Sequence, residues 1–136
     1  MSHRLLKMMG LMTLALTGLV HLAEMREYYG EERYIGVLFG LSAIGAAIGM
    51  VGIVRDQDWG WIVGVLVAAG TLGGYLLSRT VGLPGFREAS WEQFAEPMGL
   101  ASLAVEAAFL VIAALVYAEH RRGTTGNVVL KDYSVM

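Results

Sequence analysis

Residues 34–54, YIGVLFGLSAIGAAIGMVGIV, carry no charged side chain. A helix rises about 1.5 Å per residue, so a run of this length spans the ~30 Å hydrocarbon core of a bilayer. The pattern repeats on either side of it. Residues 59–78 (WGWIVGVLVAAGTLGGYLLS) are also uncharged, residues 8–23 contain only the titratable His21, and residues 97–118 contain only Glu106. These runs predict four transmembrane helices at about 5–23, 34–54, 60–78 and 98–118. The whole chain agrees: of its 136 residues 56% are hydrophobic and 16% charged, against about 25% charged in soluble domains. The fold class expected is an all-α integral membrane four-helix bundle with up-down-up-down topology. One domain covers residues 1–122, and a weakly structured cytoplasmic tail follows over 123–136.

Several classes are excluded or disfavoured at this stage. There are no cysteines, which removes disulfides, thiolate metal sites and thiol redox chemistry. The net charge of −2 carries no nucleic-acid signature. The stretch GLVHLAE, residues 18–24, lacks the A-x-A pattern of a cleaved signal peptide, so the first run is expected to stay as a span. No G-x-S-x-G, P-loop or H-E-x-x-H motif is present, and no catalytic residue is assigned.

Orientation follows the lysines and arginines near the helix ends. Arg4, Lys7, Arg55, Arg121, Arg122 and Lys131 fall on one side; Arg26, Arg33, Arg79 and Arg87 fall on the other, among seven glutamates from Glu24 to Glu96. The bias favours both termini in the cytoplasm of a prokaryotic cell, the protein being multi-pass in its plasma membrane. Residues 55–58 (RDQD) then form a tight inner turn. The first outer loop (EMREYYGEER, 24–33) is expected to prolong helix one and turn at Gly30. In the second, Gly82, Pro84 and Gly85 stop helix three. SWEQF (90–94) has capping-box spacing and paired aromatics, which predicts a short interfacial helix between spans three and four. Pro97 suits the first turn of helix four.

Association in lipid rests on close backbone approach and interhelical hydrogen bonds. The pairs Gly36/Gly40, Gly45/Gly49, Gly60/Gly64 and Gly70/Gly74 all have small-xxx-small spacing. Two such faces on helix two imply neighbours on both sides, or a second copy or larger membrane complex alongside the lipid. Three polar stripes recur at helical spacing: Gly10, Thr13, Thr17, His21 and Glu24; Gly60, Gly64, Thr71, Tyr75 and Ser78; and Gly99, Ser102, Glu106, Ala113 and Tyr117. Polar atoms are costly in hydrocarbon unless partnered, so the stripes are expected to face inward. The serines and threonines can equally bond a carbonyl four residues back in their own helix.

The ionisable residues define the candidate site. Glu106 lies about 12 Å into helix four at 1.5 Å per residue, where a carboxylate costs roughly 2.5–3.5 kcal/mol and needs a partner. His21, Glu24 one turn beyond it, Arg79 and Glu106 all fall in the outer half, with Tyr75 and Glu96 beside them as ligand-binding candidates. Taken alone, Arg79 reads as an anchor snorkelling to the membrane edge; in the cluster it reads as a clamp for a carboxylate or ligand. His21, Glu24 and Glu106 supply one imidazole and two carboxylates, a set that divalent metals accept. A haem on His21, or a quinone on His21 and Arg79, are the other cofactors considered. A buried Glu106–Arg79 or Glu106–His21 pair with a purely structural role satisfies the same residues.

TGLVHLAEMREYYGEERYIGVLFGLSAIGA (17–46), DWGWIVGVLVAAGTLGGYLLSRTVGLPGF (58–86) and EPMGLASLAVEAAFL (96–110) together resemble a group of small four-span membrane proteins of archaea and bacteria, the haloarchaeal members most of all. SRTVGLPG is the most specific part. The resemblance implies the four-span topology and no particular chemistry. The small multidrug exporters are similar in size, but their membrane glutamate lies in the first helix, where this chain has His21. The function expected is a small membrane protein with a polar ligand or metal site in its extracytoplasmic half, an accessory or sensor component of a larger assembly. The alternatives are a proton- or cation-coupled transporter using Glu106, and a structural subunit.

Overall fold

A computed structural model describes residues 2–85 and 97–133, with Glu31 and residues 124–133 as backbone only. Four helices run in order: α1 (His3–Glu31), α2 (Arg33–Val54), α3 (Asp58–Thr80) and α4 (Pro97–Tyr133). Each contains a stretch long and apolar enough to cross a membrane. Neighbours in sequence are neighbours in space, and α4 closes back onto α1. The result is a square up-down-up-down bundle. Its two ends differ: the turn end holds residues 55–57 and the start of α1, and the loop end holds the α1–α2 connection and the segment after α3.

Burial is inverted relative to a water-soluble bundle. Leu19, Leu66, Met12 and Ile62 are among many large apolar side chains facing outward, while Thr17, His21, Ser78, Arg79, Ser102 and Glu106 are buried. The three polar stripes do face inward, apart from Tyr117, which is exposed. Most of their hydroxyls bond within their own helix: Thr17 to the Thr13 carbonyl, Thr71 to Val67 and Ser78 to Tyr75.

Two glycine faces on α2 meet two different neighbours. Towards the loop end, a methyl at Gly36 would lie 2.7 Å from Tyr29 Cα and one at Gly40 would lie 3.0 Å from Met25 Sδ, both on α1. Towards the turn end, Gly49 and Gly52 lie against Gly60 and Gly64 of α3, backbone on backbone. Leu14, Ala46, Ile53, Ala68 and Phe109 form the apolar core in the middle and turn-end half, with Trp61 stacked on Phe109. So α2 is pinned to α1 at one end and to α3 at the other. A methyl at Gly45 would still meet Val67 of α3 at 2.7 Å. Beyond that point the glycines of α3 are open: a methyl placed at Gly70, Gly73 or Gly74 would meet nothing within 4 Å.

The connections follow the sequence with some differences. The α2–α3 turn is tight: Asp56 takes a left-handed φ of 55°, which Asp tolerates better than most residues. Lys7 Nζ reaches across to Asp56 Oδ1 at 2.6 Å and donates to the Val54 carbonyl at 3.1 Å. The first loop turns at Glu32, in extended conformation, with Gly30 still helical. No positive φ is needed there, and the chain reverses two residues later than expected. Gly82 and Gly85, at φ 83° and 72°, end α3 as predicted, and α4 starts at Pro97. Where a weakly structured tail is expected, α4 continues as helix to Tyr133. No proline interrupts residues 98–136, and a single glycine such as Gly123 costs a helix only about 1 kcal/mol. The predicted interfacial helix lies outside the described residues.

Lys7 holds the Asp56 carboxyl below the usual carboxylate range, chiefly through its hydrogen bond and then its charge. With the folded pKa depressed, the contribution is present above the unfolded value of 3.8 and is lost as pH falls through the folded one. Lys7→Met is therefore expected to lower the melting temperature slightly at neutral pH, by about 2 °C or less for so exposed a pair. The difference from wild type should vanish in strong acid and shrink at ~1 M salt. Thermal melts at three pH values check this.

Candidate functional site

The loop-end half of the bundle interior is polar. His21 comes from the middle of α1, where Thr17 and Glu24 lie one turn to either side on the same face. Its Nδ1 is 3.2 Å from Glu24 Oε2, and its Nε2 is 3.0 Å from Glu106 Oε1 across the bundle on α4. The Nδ1 contact is a hydrogen bond. The Nε2 contact has ion-pair distance without hydrogen-bond alignment. Ser102, one turn before Glu106, donates to the same Glu106 oxygen at 2.9 Å. His21 is 2% exposed and Glu106 1%. Contacts thus run Ser102–Glu106–His21–Glu24, hydrogen-bonded except at the His21–Glu106 approach, from the interior to a half-buried carboxylate.

Arg79 is 5% exposed. Its guanidinium lies over the Tyr75 ring, 5.0 Å from the centroid, a cation–π arrangement. The snorkelling anchor is thereby corrected: Arg79 turns inward. It stands in the last turn of α3, where a cation also complements the helix dipole. Tyr75 is held in turn by α4, since Gly99 leaves room for its phenol: a methyl there would lie 2.9 Å from the oxygen.

His21, Glu24, Tyr75, Arg79 and Glu106 border one cavity of about 330 Å³, within the ~300–1,000 Å³ range of small-molecule sites. The expected Glu106 pair forms with His21. Glu96, the remaining candidate, lies outside the described residues. The arrangement engages His21 through both ring nitrogens, one to each carboxylate, so an ion bound by all three would have to displace these contacts. Among the described residues no group of three or more His, Asp or Glu side chains is disposed to hold a metal ion.

Four contributors are not among the site residues expected from sequence. Ser102 had a legible signal, its spacing of four before Glu106 on one helix face. Phe39, whose ring is 5.3 Å from His21 and from Tyr28, is one apolar residue among many in α2 and carries none. Gly70 and Gly74 line the cavity with bare backbone, and their spacing is the same as that of the packed pairs. Chemically, the site offers an imidazole between two acids, a guanidinium and apolar cavity walls. Comparison with protein-family models, with curated proteins and with solved structures finds no match for this chain.

Proposed function

We propose that this is a multi-pass protein of a prokaryotic plasma membrane, with both termini cytoplasmic, that binds a small polar-headed ligand in the extracytoplasmic half of its bundle. It would serve as an accessory or sensor component of a larger membrane assembly. The excess of Lys and Arg at the turn end supports the orientation, and the four-span architecture is compatible with the resemblance to the archaeal and bacterial group. The observation that carries the binding reading is the convergence of His21, Glu24, Arg79 and Glu106 on one cavity of about 330 Å³. A structural ion pair needs no cavity beside it, and apolar packing of equal volume is often as stable or more so. An organic ligand fits the arrangement better than a divalent metal, because both His21 nitrogens already face carboxylates.

The test is to purify the protein in mild detergent, extract it, and analyse the extract for small molecules and metals. A stoichiometric component is expected in wild type and lost from His21→Ala and Glu106→Gln. If wild type carries none, and the substitutions change only the melting temperature, the polar seam is structural and the proposal falls. The Ser102–Glu106–His21–Glu24 chain favours a second reading, proton-coupled transport. Abolition of proton-coupled uptake by Glu106→Gln in proteoliposomes would select it.

A further inference from the structure

We infer that the ligand reaches this site sideways from the bilayer, between α2 and α3, and that it has a flat, uncharged, hydrogen-bonding head and an apolar chain, the chemistry of a membrane quinone. The inference rests on the binding reading above and adds the route and the chemical class.

The route follows from where the cavity is open. Its α1 and α4 walls are buried or half-buried, except that Tyr28, Glu24 and their neighbours approach the loop end. The lining residues that are well exposed, Leu38 (52%), Leu66 (67%) and Gly70, all belong to α2 and α3. The opening therefore faces the lateral surface at the depth of the apolar spans. At the loop end the two helices are tied together over the gap, because the Tyr34 hydroxyl donates to the Pro84 carbonyl. The wedge is thus bridged above and open at the side. It stands where α2 is held to α1 through Gly36 and Gly40 and to α3 through Gly45, Gly49 and Gly52.

The class follows from what faces the wedge. Gly70 and Gly74, one turn apart on α3, present bare helix backbone with nothing within 4 Å. The rings of His21 and Phe39, 5.3 Å apart, line the same cavity. Bare helix backbone and two rings around one cavity leave room for a flat group. Besides the phenols of Tyr28 and Tyr75, the described ionisable side chains lining it are two carboxylates, one guanidinium and one imidazole, acidic and basic groups in equal number. A net charge on the head would have no counter-charge left, at high cost in a dry interior. The buried Nε2 of His21, 3.0 Å from Glu106 Oε1 without hydrogen-bond alignment, is a donor that a carbonyl or hydroxyl head can share with that carboxylate. Leu38 and Leu66 at the mouth suit an apolar chain.

Protein in phosphatidylcholine nanodiscs, its native extract removed, is titrated with decylubiquinone, with the tail-less benzoquinone head and with decanoic acid. Native mass spectrometry and thermal shift are the readouts. Saturable binding of decylubiquinone is expected, without competition from decanoic acid. Gly74→Leu fills the slot without meeting another atom at its first carbon, so it should weaken binding at least roughly tenfold, ~1.4 kcal/mol, while the melting temperature holds or rises. Decanoic acid binding as well as decylubiquinone overturns the head class. Decylubiquinone binding undiminished in Gly74→Leu and Gly70→Leu overturns the lateral slot. If decylubiquinone does not bind, yet His21→Ala and Glu106→Gln lose a different co-purified molecule, this inference fails and the binding reading stands.

Discussion

Gly60→Ala should break the bundle, while Gly74→Ala should leave it intact or firmer. A methyl at Gly60 would be driven into the Ile53 amide nitrogen and would lie 2.5 Å from the Gly52 carbonyl carbon and 2.7 Å from its Cα. These are backbone atoms of the facing helix and cannot rotate away. The methyl can be admitted only by separating α2 from α3, which also loosens Gly49 from Gly64 and the core around Leu14 and Phe109. Overpacking typically costs about 1–3 kcal/mol when side chains can adjust. Here they cannot, so the loss should reach or exceed the top of that range. At Gly74 the same methyl meets nothing within 4 Å, and Ala is the better helix former by about 0.5–1 kcal/mol. The measurement is unfolding of both variants in one detergent or bicelle system. Equal effects of the two substitutions would contradict the wedge between α2 and α3.

The second large effect concerns the buried imidazole and carboxylate. His21→Leu should cost about 3–5 kcal/mol, the usual consequence of removing one partner from a buried pair. It leaves Glu106, 1% exposed, with Ser102 as its described hydrogen-bond partner. Glu106→Leu should cost a similar amount, by stranding the imidazole and Ser102. The double variant His21→Leu/Glu106→Leu should lose less than the sum, and less than either single variant if the leucines pack. Groups in contact show such coupling; groups more than about 7–10 Å apart do not. A double-mutant cycle on unfolding free energy decides it. Additive losses would mean that the 3.0 Å approach of His21 Nε2 to Glu106 contributes nothing.

The glycines and the acid differ in how much the sequence discloses about them. Glu106 is one charge in an otherwise uncharged run, and its position alone demands a partner. Three stripes at helical spacing say which faces hold candidates, and His21 and Glu24 follow as residues three apart. What spacing leaves open is the choice of partner. Arg79 and His21 are both at a suitable depth, and Arg79 by itself reads as an anchor at a span end. The helix rotations settle it: α1 presents His21 to α4, while Arg79 folds inward over Tyr75 and borders the cavity from α3. Ser102 was legible by its spacing, and Phe39 was not, since an apolar side chain in an apolar run carries no signal of which neighbour it meets.

By itself the chain determined four long apolar helices, their antiparallel order, the inward turn of the polar faces and the glycine stops after α3. Those properties depend on local composition and on the cost of polar groups in hydrocarbon, which act residue by residue. Only the tertiary structure decided which glycine pairs are seams and which are walls. Gly60/Gly64 and Gly70/Gly74 are written alike, yet Gly60 is pressed against α2 and Gly64 against Phe109 of α4, while the other pair meets open space. The difference arises because α2 is held to α1 at one end and to α3 at the other, and the angle between packed helices belongs to the whole bundle rather than to any segment of it.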